Sequence, residues 1–271
     1  MSIITLSSDF GQKDPDVGHL KGLILQSVPQ ANIIDITHEI TPFNKSEAVY
    51  ILQNALLGFP EKTIHLIAIE SENFETQKPI LFEANKQYFL GNDNGILATA
   101  LQNTDFTAYS LAFDGNERFM QTQIQAAQKL TNGNLPSDFA VKTTDYKQVK
   151  LSQPSLKHVG DSEKISTIIP KVIHIDNYGN AIFNLQKTDF EKWRNNRKFT
   201  INFGPHTIKK LITGYNDFET KKDRLTHAGD YFARFNDFGY LEIFVYQSNQ
   251  QSGGANTLLG LRKHQTIIIN F

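Results

Sequence analysis

The spacing of apolar residues changes character part-way along this 271-residue chain, and that change constrains its architecture more than any motif does. Up to about residue 140, apolar runs of strand length alternate with helical patterns. Residues 3–6, 33–36 and 64–69 read as strands. Val17, Leu20 and Ile24, then Ala48, Ile51, Leu52, Ala55 and Leu56, recur at the three- and four-residue steps of a helix face, and residues 116–130 suggest another helix. Strands separated by helices imply a largely parallel, covered sheet. Within it, residues 79–84 and 87–90 form a hairpin around Asn85-Lys86, with a further turn at 92–95.

From Asp138 to about Ser166 the chain is polar and aperiodic, with Pro154, Gly160 and several lysines. We place a linker at 151–168, dividing an α/β domain at 1–150 from a β domain at 169–271. Beyond Pro170 come short strand candidates at 172–175, 181–185, 198–203, 207–212, 240–246 and 266–270, separated by Gly, Asn and Asp turns, which suits a small antiparallel barrel or sandwich. Trp193 with Lys192, Arg194 and Arg197 reads as a surface segment of that domain.

Composition narrows the chemistry. The formal net charge is -1 with lysines scattered along the chain, so no basic field announces nucleic acid or an anionic membrane, and a small-molecule partner is expected. Cysteine is absent, which excludes thiol catalysis, thiolate metal sites and disulfides. The N-terminal MSIITLSSDFG enters a strand at once, and no apolar run approaches the ~20 residues of a membrane span, so a cytoplasmic location is expected. The eight histidines show no short paired metal spacing.

Two constellations offer a site. After the first strand the chain reads LSSDFGQKDPDVGHLKG, placing Asp9, Asp14 and Asp16 at the carboxyl end of a strand, the edge where open α/β sheets gather ligands. Such carboxylates accept hydrogen bonds from hydroxyls or an ammonium, or hold a divalent metal in the manner of a phosphohydrolase. Asp16 also suits an N-cap and Asp14, before Pro15, a turn. At the start of the β domain, Ile175-Asp176-Asn177-Tyr178-Gly179-Asn180 supplies a carboxylate, a ring and an amide, the parts needed to hold a purine, though the same residues are ordinary turn chemistry.

Together these segments are specific. DFGQKD and VGHLKG within 9–22, DITHEITPFN at 35–44, FPEKTIHLIAIE at 59–70, NDNGIL at 92–97, VIHIDNYGN at 172–180, NDFGYLEI at 236–243 and GGANTLLGL at 253–261 resemble, in order, the S-adenosylmethionine (SAM) hydroxide adenosyltransferases. These are adenosine-forming SAM hydrolases of the family that includes fluorinase and chlorinase. The resemblance implies an N-terminal α/β sandwich and a C-terminal antiparallel β-barrel, a homotrimer with pockets between neighbouring subunits, and cleavage of SAM to adenosine and methionine without cofactor or metal. Asp9 is similar to the family's ribose-gripping acid, Asp14 and Asp16 to residues lining the methionine part, and Phe43 to an aromatic beside the ribose. Asp176 resembles an acid meeting the methionine ammonium, Tyr178 the ring on adenine and Asn180 the amide reading its edge, while Asp237 stands where a serine meets the methionine carboxylate.

The catalytic set departs from the family. Where the hydrolases carry Asp, Arg and His, this chain has Glu70, Gln77 and Asp114. The family's trio sums to roughly zero charge, and this one to about minus two if both acids ionise, so hydroxide is repelled unless a cation such as Lys78 or Arg118 supplies the missing charge. Weak hydrolysis is the expectation, with a non-catalytic SAM- or adenosine-binding trimer as the alternative.

Overall fold

The computed structural model describes residues 2–70, 78–113, 119–160, 164–214, 217, 226–248 and 253–271. The chain divides into two compact units, Met1–Lys150 and Leu151–Phe271.

The first unit is built on a seven-stranded sheet of β1 (Ser2–Ser8), β2 (Ala31–Thr37), β3 (Ile64–Ala68), β4 (Pro79–Ala84), β5 (Gln87–Asn92), β6 (Phe106–Ser110) and β7 (Val141–Thr143), in the order β2-β1-β3-β5-β4-β6-β7. The strands β2, β1, β3 and β5 run parallel, while β4 lies antiparallel to β5 and β6, and β7 antiparallel to β6. The helices are α1 (Asp16–Ser27), α2 (Lys45–Ala55), α3 (Ile96–Ala100) and α4 (Phe119–Thr131). Period-two alternation sends Ile4 and Leu6 to one face of β1, where with Leu66 and Leu90 they meet Leu20 and Ile24 of α1 and Ile124 and Leu130 of α4. Burying one such aliphatic side chain contributes about 1.5–3 kcal/mol. The opposite face takes α3: a Cβ on Gly91 would come 2.8 Å from Leu97 Cδ1, so any larger residue there requires Leu97 to shift. Asp16 does not cap α1. Pro15 holds the N-cap position and Asp16 is the first helical residue, where its carboxylate complements the helix dipole.

The second unit contains two antiparallel sheets. One orders β10 (Val172–Ile175), β11 (Ala181–Gln186), β15 (Tyr240–Val245) and β14 (Tyr231–Phe235) as β10-β11-β15-β14. The other orders β13 (His206–Ile208), β12 (Thr200–Phe203), β16 (Ile268–Asn270), β9 (Ile165–Ile169) and β8 (Ser155–His158) as β13-β12-β16-β9-β8. Val172, Phe183, Leu241 and Ile243 of the first sheet share one core with Ile168, Ile201, Phe203 and Ile269 of the second. The expected barrel is not found: no closed sheet occurs among the described residues. Among the described residues the two sheets are linked by isolated bridges, Lys171 to Thr266 and Leu211 to Ala233, too few to continue a ladder around a closed wall.

Three further elements differ from expectation. The presumed linker at 151–168 carries β8 and most of β9, because β8 is an edge strand with only Leu156 packed against the core and therefore shows no apolar pattern. The strand β14 was not foreseen. The basic segment around Trp193 belongs to a helix, α5 (Lys187–Arg194), anchored by fully buried Phe190. There Arg197 is structural, since its Nη2 donates to Ile165 O at 2.6 Å and Trp193 O at 2.8 Å and the guanidinium lies 4.8 Å from the Phe271 ring centroid. Among the described residues, no helix is long and apolar enough to cross a membrane.

Candidate ligand site

Because β1, β3 and β5 are parallel neighbours, their carboxyl ends open on one edge, and the loops there carry the first cluster of candidate residues. Asp9 follows β1, and its Oδ2 accepts the Glu70 N–H at 3.2 Å. Glu70, two residues past β3, has φ of 52°, a left-handed conformation uncommon outside glycine and frequent at functional sites. Two amides at the end of β5 and just beyond it hold that loop: Asn92 Nδ2 donates to Glu70 O at 3.3 Å and Asn94 Nδ2 to Ile69 O at 3.1 Å. The Glu70 carboxylate pairs with Lys45, whose Nζ lies 3.1 Å from Oε2 and 3.3 Å from Asn94 O.

Lys45 is the cation the sequence reading missed. It opens α2 directly after the cap residue Asn44, inside the TPFN segment already singled out, but nothing in the one-dimensional spacing links it to Glu70. Lys78, proposed for that role, donates its backbone N–H to Asn92 Oδ1 at 3.2 Å. Gln77, Asp114 and Arg118 lie outside the described residues.

Phe43 sits beside this cluster in sequence and is 85 % exposed with φ of 63°. Its neighbours are firmly held: Asn44 Oδ1 accepts the Glu47 N–H at 3.2 Å, and Glu47 Oε2 accepts the Thr41 N–H at 3.2 Å. The ring is thus presented to solvent on an anchored backbone held in the left-handed region.

The Asp9 loop is braced from beneath. Ser8 Oγ lies 2.7 Å from His38 Nδ1, Asp35 Oδ1 lies 3.2 Å from His38 Nε2, and Lys21 Nζ bonds Asp35 Oδ2 at 2.6 Å. Although partial burial pushes the Asp35 carboxyl upward, its bonds to Lys21 and His38 hold it below the usual carboxylate range. Gly11, at φ of 73°, donates its N–H to His38 O at 2.7 Å. Asp14 and Asp16 are exposed along the same loop, and among the described residues neither bonds to the Asp9–Glu70–Lys45 cluster. The metal reading of these acids gains nothing: among the described residues no group of three His, Cys, Asp or Glu is placed to hold an ion.

A separate candidate surface, in the second unit, is the β10–β11 turn. Asp176 Oδ1 accepts the N–H groups of Tyr178 at 2.8 Å and Asn180 at 2.9 Å, and Oδ2 accepts Asn180 Nδ2 at 2.9 Å. The carboxylate thus shapes the loop, while Tyr178 stands 64 % exposed and Asn180 is only 4 % exposed. Gly179, at φ of 80°, is pressed against the segment leading into α6 (Ala255–Leu258): an added Cβ would lie 2.8 Å from Asn256 Oδ1 and 3.0 Å from Gly254 Cα, and Asn256 N–H donates to Gly179 O at 3.1 Å. Two segments distant in sequence therefore form one surface.

The β14–β15 turn repeats this plan with asparagine in the leading place. Asn236 Oδ1 accepts the N–H groups of Phe238 at 3.1 Å and Tyr240 at 3.0 Å, Gly239 has φ of 79°, and Phe238 is 55 % exposed. Since Ala181 pairs with Ile243 and Gln186 with Tyr240 in an antiparallel ladder, the two turns leave from opposite ends of the β11–β15 pair. Within one chain Asp237, exposed on the second turn, is therefore not brought onto the Tyr178 surface. Between the turns, buried Glu242 has its carboxyl pushed up by desolvation, tempered by Arg234, whose Nε and Nη2 each lie 3.2 Å from Oε1.

Comparison with known proteins matches both units. Residues 4–133 match the SAM hydroxide adenosyltransferase N-terminal domain and residues 170–268 the corresponding C-terminal domain. The (R)-S-adenosyl-L-methionine hydrolase of Methanocaldococcus jannaschii is 27% identical over 265 residues, covering 92% of this chain and 90% of that protein. A fluorinase of Actinoplanes sp. is 36% identical over 62 residues, 23% of this chain and 21% of that protein. Among solved structures, an uncharacterized conserved protein from Thermotoga maritima superposes with a TM-score of 0.76 at 24% identity, covering 99% of this chain and 100% of that one, a likeness of fold.

Proposed function

The chain belongs to the SAM hydroxide adenosyltransferase family, and from that premise we propose that it cleaves S-adenosylmethionine to adenosine and methionine by attack of water or hydroxide at C5′. The observation that carries this reading is the Asp9–Glu70–Lys45 cluster at the shared edge of β1, β3 and β5. The sulfonium needs no acid to depart, so the reaction demands orientation, an in-line nucleophile and removal of one proton, and no cofactor or metal. Asp9 accepts from the ribose hydroxyls, while Tyr178 covers the adenine face and Asn180 reads its edge. The water oxygen bonds to C5′ as the C5′–S bond breaks, the electron pair leaves with sulfur, and the Glu70 carboxylate takes the proton. Lys45 offsets the charge of Glu70, so the nucleophile does not meet a bare pair of acids.

A cytoplasmic homotrimer, with nucleoside-binding halves contributed by neighbouring subunits, is part of the same reading. Purified protein incubated with SAM is expected to release adenosine and methionine in equal amounts by chromatography; no adenosine above the buffer control after long incubation overturns catalysis. A second reading, a non-catalytic SAM- or adenosine-binding trimer, draws on Gln77 and Asp114 standing where the family carries Arg and His. It expects calorimetric adenosine binding without turnover.

A further inference from the structure

We propose that a basic groove in the second unit binds a short polyphosphate. The groove, about 740 Å3 in volume, is lined among the described residues by Lys187, Arg194, Lys198, Lys209 and Lys210 against the carboxylate of Glu191, with Asp217 acting on Lys210 from outside the lining. Glu191 is directed at Arg194, 3.4 Å from its guanidinium, and Arg194 is committed further by donating Nε–H to Arg197 O at 2.7 Å. The lysines are exposed, and among the described residues no carboxylate lies within ion-pair distance of Lys187, Lys198 or Lys209.

The topology gathers these charges. Ile201 of β12 pairs with Ile208 of β13, so Lys198, just before β12, and Lys209 and Lys210, just after β13, leave the ladder side by side. Lys187 is fixed at the start of α5 by its backbone N–H, which donates to Gly239 O at 2.9 Å. Beneath them lie Phe199, Leu211 and Phe235. Cations of one sign over an apolar wall focus the field outward and are relieved by a bound anion.

Size and surroundings select the anion. The volume falls in the range of small-molecule sites, about 300–1,000 Å3, and the several cations lining it match a ligand with several negative charges better than one phosphate. The formal net charge of the whole chain is -1, so the protein offers no chain-wide cationic field for a long nucleic-acid strand. A compact chain of phosphates, free or as the tail of a nucleotide, matches cations confined to one groove.

The test is calorimetry on the full chain at low salt with tripolyphosphate, ATP and adenosine. Tripolyphosphate is expected to bind once per chain and to lose about tenfold or more in affinity in the double variant Lys198→Gln, Lys209→Gln, with unchanged melting temperature. Equal affinity for ATP identifies the phosphate chain alone as the recognised group; tighter ATP binding with the same loss in the variant identifies a nucleotide. No heat from either anion at millimolar concentration, or unaltered affinity in the variant, overturns the proposal, as does a single-stranded oligonucleotide binding more tightly than tripolyphosphate. Adenosine release from SAM is expected to be unchanged in the same variant, so failure of this proposal and failure of SAM cleavage register separately.

Discussion

Acid should unlatch the first unit through His65. This imidazole is fully buried in β3, stacked on Phe89 with centroids 4.6 Å apart and met edge-on by Phe59 at 5.6 Å. Nδ1 lies 2.7 Å from Thr5 Oγ1 and Nε2 3.1 Å from Gln87 Oε1. Because the Gln87 amide nitrogen donates to Phe59 O, its oxygen faces the ring, which assigns the proton to Nε2 and leaves Nδ1 to accept from Thr5. Burial pushes the imidazole down to about 4 from 6.5, with the Gln87 bond opposing. The unfolded chain therefore takes up the proton first. Stability is complete above pH 6.5, falls as pH drops toward 4 and levels off below. At about 1.4 kcal/mol per pH unit the full loss is roughly 3 kcal/mol, of which about 2 kcal/mol has gone by pH 5. Urea unfolding followed by circular dichroism at pH 7.5 and at pH 5, on the parent and on His65→Gln, isolates the contribution from other titrating groups. The parent should lose about 2 kcal/mol more than the variant between the two pH values. An equal loss in both refutes the reasoning, and if the variant does not fold, an NMR titration of the ring with a midpoint near 6.5 does the same.

Gly179→Ala forces a Cβ to 2.8 Å from Asn256 Oδ1 at a positive φ, and should cost about 1–3 kcal/mol, read as a lowered melting temperature. Lys45→Gln removes the counter-charge on Glu70 and should lower adenosine release from SAM by about tenfold or more, with circular dichroism unchanged; undiminished release removes Lys45 from the mechanism. Tyr178→Ala with Asn180→Ala should abolish adenosine binding by calorimetry while leaving the oligomeric state intact, and unchanged affinity refutes the adenine assignment.

Legibility followed burial. The strands β1, β3 and β5 were visible because central strands buried on both faces read as apolar runs, and the β4–β5 hairpin because its turn residues flank them. By contrast β8 places one residue, Leu156, against the core, and α5 rests on Phe190, so neither leaves a period long enough to recognise. The same division runs through the site. Asp9, Asp176, Tyr178 and Asn180 stand out as candidates by residue type and by position after a strand or within a turn, which are local properties, whereas Phe43 enters only through the resemblance to the family.

By itself the sequence determined the two-part organisation, the strand-end acids and the aromatic turn, because each follows from short-range spacing. Only the tertiary structure decided that Lys45 neutralises Glu70, that Asn256 backs Gly179, and that the turn bearing Asp237 leaves the opposite end of its strand pair. Those contacts join residues far apart along the chain. Parallel strand order and antiparallel register set them, and neither is written in the local pattern of side chains.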